Sequence, residues 1–147
     1  MTHVLFVCLG NICRSPTAEA VFRSKTDLHS CDSAGTGGWH TGDPPYPAMQ
    51  AAAVARGYVM SDLRGRQLDV RDFGQFDLIL GMDAQNIADI EAMRPRGAQT
   101  PVRLLTSFAP GLTEAVPDPY YTRDFDGAFD LIEQAVDGLI GHLGSAS

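Results

Sequence analysis

No stretch of the 147-residue chain approaches the ~18 consecutive apolar residues of a membrane-spanning helix, which argues against an integral helical membrane protein. Met1-Thr2-His3 leads straight into a strand pattern without the charged and apolar regions of a signal peptide, so a cytoplasmic location is expected. Cysteine is scarce and odd in number, three in all, which excludes a disulfide framework and implies reduced thiols. Repeats, linkers and low-complexity tracts are absent, leaving one domain over residues 1–147. Positive charge is in deficit, 11 Lys and Arg against 18 Asp and Glu, and the net −7 disfavours nucleic acid and anionic membrane as partners. His3, His29, His40 and His142 show no ligand spacing among themselves or with the cysteines, so no metal is expected. The glycines of Gly35 to Pro47 form neither a Walker A string nor a G-x-G-x-x-G after a clear strand, and no cofactor is implied.

What is present is an ordinary globular composition, 44% hydrophobic and 20% charged, with one stretch of high information content. Val4 to Val7 is an apolar run without polar alternation, the pattern of a strand covered on both faces. It feeds a small polar loop, Cys8-Leu9-Gly10-Asn11-Ile12-Cys13-Arg14-Ser15, and then a helical segment to about Lys25. In open α/β sheets this is the end of the strand where ligands bind. Gly10 suits positive φ and Asn11 tolerates it, so the backbone can curl into a nest of N–H groups. Ser15 and Pro16 fit an N-cap and a first helical position, which would turn the positive end of the helix dipole onto the loop. Arg14 adds a permanently charged fork matched to phosphate oxygens. Cys8 stands inside this positive setting, which favours a nucleophilic thiolate. The spacing Cys8-x5-Arg14-Ser15 thus describes a nucleophile and an anion clamp on one turn of chain, suited to attack on phosphorus and a covalent cysteinyl-phosphate. A buried, inert Cys8 and a surface Arg14 form the bland alternative, which leaves Gly10, Asn11, Ser15 and Pro16 without roles.

The string CLGNICRSPTAE resembles the phosphate loop of the low-molecular-weight protein tyrosine phosphatases, and the resemblance extends over nearly the whole chain, weakest in the middle third. It implies hydrolysis of phosphotyrosine proteins, with phosphate or another oxyanion in the loop, by a monomer or weak dimer. A cysteinyl-phosphate mechanism also needs an acid for the leaving oxygen. Val116-Pro117-Asp118-Pro119-Tyr120-Tyr121 supplies a carboxyl stiffened by two prolines, and it matches the family's D-P-Y-Y acid loop, so the resemblance makes Asp118 the general acid and base. Trp39 on the long loop and Tyr120 with Tyr121 are the expected aromatic walls of a cleft deep enough to admit phosphotyrosine and exclude phosphoserine; Trp39 could instead pack its own loop, and Tyr121 could be partly core. The resemblance also has Ser15 donating to Cys8, with helix capping as the alternative, and Ser33 of Asp32-Ser33-Ala34 holding Asn11. Asp83 and Asn86 match a family string and read as structural. Many relatives carry a histidine where this chain has Leu63 or Asp62, which leaves open what else holds Asn11. Cys13 is either a loop-packing thiol or a partner that oxidation joins to Cys8.

Further along, a short strand is expected over Leu28 to Ala34, a helix from Ala48 to Arg56 ending at Gly57, and the clearest remaining strand over Gln75 to Asp83. A helix over Ala84 to Met93, a strand over Pro101 to Leu105 and a terminal helix from Phe125 to Leu143 complete the pattern. Strands alternating with helices imply a doubly wound parallel sheet. The resemblance narrows this to a three-layer α/β/α fold with a central four-stranded parallel sheet in flavodoxin-like order. Three readings compete for function. An arsenate reductase of the same fold passes oxidation to downstream cysteines, and none follows Cys31; an arginine phosphatase typically carries threonine where this chain has Ile12. A dead phosphate-binding module would lack Cys8, Arg14 or Asp118, and all three are present.

Overall fold

The computed structural model describes residues 1–109, 111 and 115–144. Four strands, β1 (His3–Cys8), β2 (Ser30–Gly35), β3 (Leu78–Gly81) and β4 (Val102–Leu104), form one sheet in the order β2-β1-β3-β4 with every neighbouring pair parallel. This is the flavodoxin-like order, with the change of winding direction beside β1. Val4, Leu5, Phe6 and Val7 are all fully buried, and they alternate between two cores. Val4 and Phe6 face one side, with helices α1 (Arg14–Lys25) and α6 (Phe125–Leu143); Leu5 and Val7 face the other, with Ile79, Ile90 and Phe73. A run without polar alternation is what such a doubly covered strand requires.

The long helix α6 buries Phe129, Ile132, Val136 and Leu139, one stripe at helical spacing, and starts at Asp124, whose carboxylate accepts from the Gly127 N–H at 2.9 Å. Helix α4 (Ala84–Met93) starts in the same way at Asp83. Helix α2 (Pro47–Ala55) precedes Gly57, which takes the left-handed conformation at φ 85°.

Several boundaries differ from expectation. β2 begins at Ser30 rather than Leu28, since its pairing with β1 begins at His3 opposite Ser30. β3 is only Leu78–Gly81, because Asp72–Gln75 folds as a short helix, α3, before it. β4 closes at Leu104, and the chain turns into a 3₁₀ segment, Leu105–Phe108. The acid-loop segment contains a four-residue helix, α5 (Pro119–Thr122), which the loop motif does not specify. All of these are edges at which local propensity gave way to the length of available pairing partners.

Candidate active site

The loop after β1 curls as anticipated, but through Asn11, whose φ is 57°, and not through Gly10, which is not left-handed. The Asn11 N–H donates to Cys8 Sγ at 3.3 Å. Its amide Nδ2 donates to Ser15 Oγ at 2.8 Å and Ser33 Oγ at 3.0 Å, while its Oδ1 accepts from the Arg66 backbone N–H at 3.0 Å. Asn11 is therefore held from both ends without a histidine. Asp62 lies in an exposed ion pair with Arg23 at 2.7 Å, and Leu63 packs against the main core. The N–H groups of Gly10, Ile12 and Cys13 donate to no acceptor among the described residues. Unpaired amides gathered in a curled loop are donors suited to an anion.

Helix α1 starts two residues earlier than the Ser-Pro signature suggests. Cys13 occupies the N-cap position without a side-chain cap bond, and Ser15 lies in the first turn. Its hydroxyl, 3.0 Å from Cys8 Sγ, is drawn to the sulfur and to Asn11 and caps nothing. Gly35, at the end of β2, allows this close fit: a Cβ there would sit 2.8 Å from the Leu9 carbonyl oxygen.

Arg14 is 2% exposed and is held through Nη1 and one Nη2 contact, while its Nε finds no acceptor among the described residues. Nη1 donates to Asp83 Oδ2 at 2.7 Å and to the Val116 carbonyl at 2.9 Å, and Nη2 lies 3.4 Å from Asp118 Oδ2. Burial alone would lower its pKa, but Cys8, Asp83 and Asp118 outweigh it and hold the guanidinium above its ordinary range. Asp83 does double duty, since its Oδ1 also accepts from the Asn86 N–H at 2.8 Å to cap α4. The acid loop is tied down twice: Val116 N–H donates to the Met82 carbonyl at 2.9 Å, beyond the end of β3, and Asp118 Oδ1 accepts from Tyr120 N–H at 3.0 Å.

Cys8, Leu9, Gly10, Ile12, Cys13 and Arg14 line a cavity of about 230 Å³ together with Trp39, His40, Asp118, Tyr120 and Tyr121. Asn11 and Ser15 stand behind it, bonded to the sulfur. Trp39 and Tyr121 are exposed, 73% and 71%, so neither is a core residue. Tyr120 meets Tyr121 edge-on at 5.4 Å and Tyr46 at 5.6 Å, and Tyr46 stacks on Phe125 at 5.7 Å. This aromatic row anchors the acid loop to the start of α6.

Four participants escaped the sequence reading. His40 lines the cavity, its Nδ1 3.1 Å from Asp43 Oδ2, though it had been weighed only as a metal ligand. Tyr46 gave no motif. Arg66 acts through its backbone, which no side-chain pattern reveals. Glu19, 9% exposed, accepts from Ser33 Oγ at 2.6 Å, and burial pushes its carboxyl up to about 7. The environment of the two other thiols favours their protonated forms. Burial, reinforced by Cys8 and Asp118, pushes Cys13 up to about 12, and burial with Glu19 and Asp32 does the same to Cys31.

The family model described as low molecular weight phosphotyrosine protein phosphatase matches residues 3–146. The low molecular weight protein-tyrosine-phosphatase YfkJ of Bacillus subtilis is 39% identical over 97% of this chain and 96% of its own; its crystal structure superposes with a TM-score of 0.90, covering 97% and 94% of the two chains. A low molecular weight phosphotyrosine protein phosphatase of Schizosaccharomyces pombe is 42% identical over 92% of this chain and 90% of its own. A Drosophila arginine phosphatase structure, 30% identical, covers the full length of both chains with a TM-score of 0.88.

Proposed function

This chain belongs to the low molecular weight phosphotyrosine protein phosphatase family, and from that premise we propose that it hydrolyses phosphotyrosine in proteins, and small aryl phosphates, through a cysteinyl-phosphate on Cys8. The observation that carries the reading is the convergence in one cavity of Cys8 Sγ, the Arg14 guanidinium, the Asp118 carboxyl and loop N–H groups without acceptors.

Arg14 and the amides of Gly10, Ile12 and Cys13 bind the phosphoryl oxygens. Asp83 and the Val116 carbonyl hold the guanidinium in place, so little reorganisation is needed as charge spreads over the equatorial oxygens. Ser15 Oγ and Asn11 N–H, 3.0 and 3.3 Å from Sγ, stabilise the sulfur as an anion and aim it. Sγ forms the S–P bond as the P–O bond to tyrosine breaks, and Asp118 transfers its proton to the departing phenolic oxygen. Asp118, now a carboxylate, takes a proton from water as that water's oxygen attacks phosphorus. The S–P bond breaks, the thiolate is regenerated and inorganic phosphate leaves. Trp39, Tyr120 and Tyr121 stack against the substrate ring and set the depth that a phosphoserine side chain does not span.

The test is steady-state hydrolysis of matched phosphotyrosine, phosphoserine and phosphoarginine peptides by the wild type, Cys8→Ser and Asp118→Ala. The expected result is a dominant phosphotyrosine activity, none for Cys8→Ser, and for Asp118→Ala a kcat reduced about 10²–10⁴-fold. Dominant phosphoarginine hydrolysis would transfer the site to the chemistry named for the Drosophila relative. A wild type inert to all three peptides, or an active Cys8→Ser, would overturn the mechanism.

A further inference from the structure

Trp39 is a ridge between two depressions. Its indole lies flat against Gly37, where a Cβ would fall 1.8 Å from the ring, so Gly37 is what lets it stand there. On one side is the catalytic cavity. On the other is a groove of about 270 Å³ that shares Leu9 and Trp39 with it and is completed by Thr36, Asp89, Ala92 and Met93. Thr36 N–H donates to the Cys8 carbonyl and Gly37 N–H to the Leu9 carbonyl, both at 2.9 Å, so the groove wall is fastened directly to the phosphate loop.

The chemistry of this groove is specific. Trp39, Ala92, Met93 and Leu9 make it apolar, and Asp89 is the one charged residue lining it. Asp89 forms no ion pair among the described residues; its Oδ1 only accepts from Gln85 Nε2 at 2.9 Å. Arg94, five residues on from Asp89, is committed elsewhere: it pairs with Glu91 at 2.8 Å and donates to the Ala98 and Thr100 carbonyls at 2.9 and 2.8 Å. Thr36 Oγ1, in the groove wall, is the one buried side-chain polar atom without a hydrogen-bond partner among the described residues. An apolar trough with an aromatic face and a single unpaired carboxylate complements a long side chain with an aliphatic stem and a cationic head.

We propose that this groove is a specificity subsite that takes an arginine or lysine side chain of the substrate peptide, one to three residues from the phosphotyrosine. The stem lies along Ala92, Met93 and Trp39, and the cation meets Asp89. The spacing follows from the shared wall, since both depressions are lined by Leu9 and Trp39 and an extended peptide advances about 3.3 Å per residue. The inference rests on the phosphatase reading and names a substrate class within it: phosphotyrosine flanked by basic residues.

The experiment compares kcat/KM for phosphotyrosine peptides that differ only in arginine, glutamine or glutamate at the flanking positions, with the wild type, Asp89→Asn and Asp89→Lys. Para-nitrophenyl phosphate, which has no flanking residue, reports catalytic competence. The wild type is expected to favour the arginine peptide about five- to tenfold, chiefly in KM, with the preference shrinking at high salt. Asp89→Asn loses most of that preference and Asp89→Lys inverts it towards glutamate, with para-nitrophenyl phosphate hydrolysis unchanged in both. Equal use of the three peptides by an enzyme active on para-nitrophenyl phosphate, or a preference that survives Asp89→Lys, overturns the subsite and leaves the phosphatase reading intact. Inactivity of the wild type towards para-nitrophenyl phosphate and every peptide overturns that reading, and the subsite falls with it.

Discussion

Replacing Glu19 by glutamine should stabilise the protein increasingly as pH rises from about 4.5, with the full gain above neutral pH. Glu19 lies in α1, 9% exposed, its one hydrogen bond coming from Ser33 Oγ at 2.6 Å. Burial raises its pKa from 4.5 to about 7, and Asp32 adds to the rise, while the Ser33 bond and Arg23 pull the other way without cancelling it. Below pH 4.5 the group is neutral in folded and unfolded chains alike and contributes no penalty. Between 4.5 and 7 the folded chain holds a proton that the unfolded chain has released, so stability falls as pH rises. Above 7 the charge is buried and the full loss is reached, about 3 kcal/mol at ~1.36 kcal/mol per pH unit. Glutamine keeps an oxygen for the Ser33 hydroxyl and has no charge to bury. Urea unfolding of both proteins at pH 5 and pH 8 isolates the effect, because every other titration cancels in the difference between them. The variant should gain roughly 2–3 kcal/mol on the wild type between those two pH values. Its activity should survive, since Ser33 still accepts from Asn11 at the back of the phosphate loop. Parallel stability profiles for the two proteins would refute the argument.

Other outcomes follow from the same geometry. Asp83→Ala removes both the α4 cap and a partner of the buried Arg14, so urea unfolding should show a loss of about 2–4 kcal/mol and kcat/KM should fall at least tenfold. Trp39→Ala should raise KM for aryl phosphates about two- to tenfold with kcat within threefold, as expected for a wall that contacts the ring and not the reacting atoms. At pH 7 a thiol at about 12 is ionised to on the order of one part in 10⁵, so iodoacetamide followed by peptide mass spectrometry should find Cys8 alkylated well before Cys13 or Cys31, and inorganic phosphate should slow it. Comparable labelling of Cys13 would contradict its assignment as a buried, protonated thiol.

The sequence alone determined whatever depends on neighbours along the chain. Val4 to Val7 announced a central strand, Ala84 to Met93 and Phe125 to Leu143 emerged with the expected bounds, and Cys8, Arg14 and Asp118, singled out by short motifs, line one cavity. Where two local signals competed, the sequence left both open: Ser15 could meet the sulfur or cap the helix, and it meets the sulfur; Gly10 and Asn11 both suited positive φ, and Asn11 takes it. Tertiary structure decided how the site is held. Asp83 and Val116 meet Arg14 across 69 and 102 residues, and the Arg66 backbone meets Asn11 across 55. Those contacts depend on the register of β3 against β1 and on where the loops between elements return. The groove behind Trp39 is the same case, since Asp89 and Met93 reach it only because α4 folds back beside the loop that follows β2. Local patterning encodes dihedral preference and which face is buried; the partner that a buried charge or amide finds is fixed only when distant segments pack and every polar group withdrawn from water must find its match.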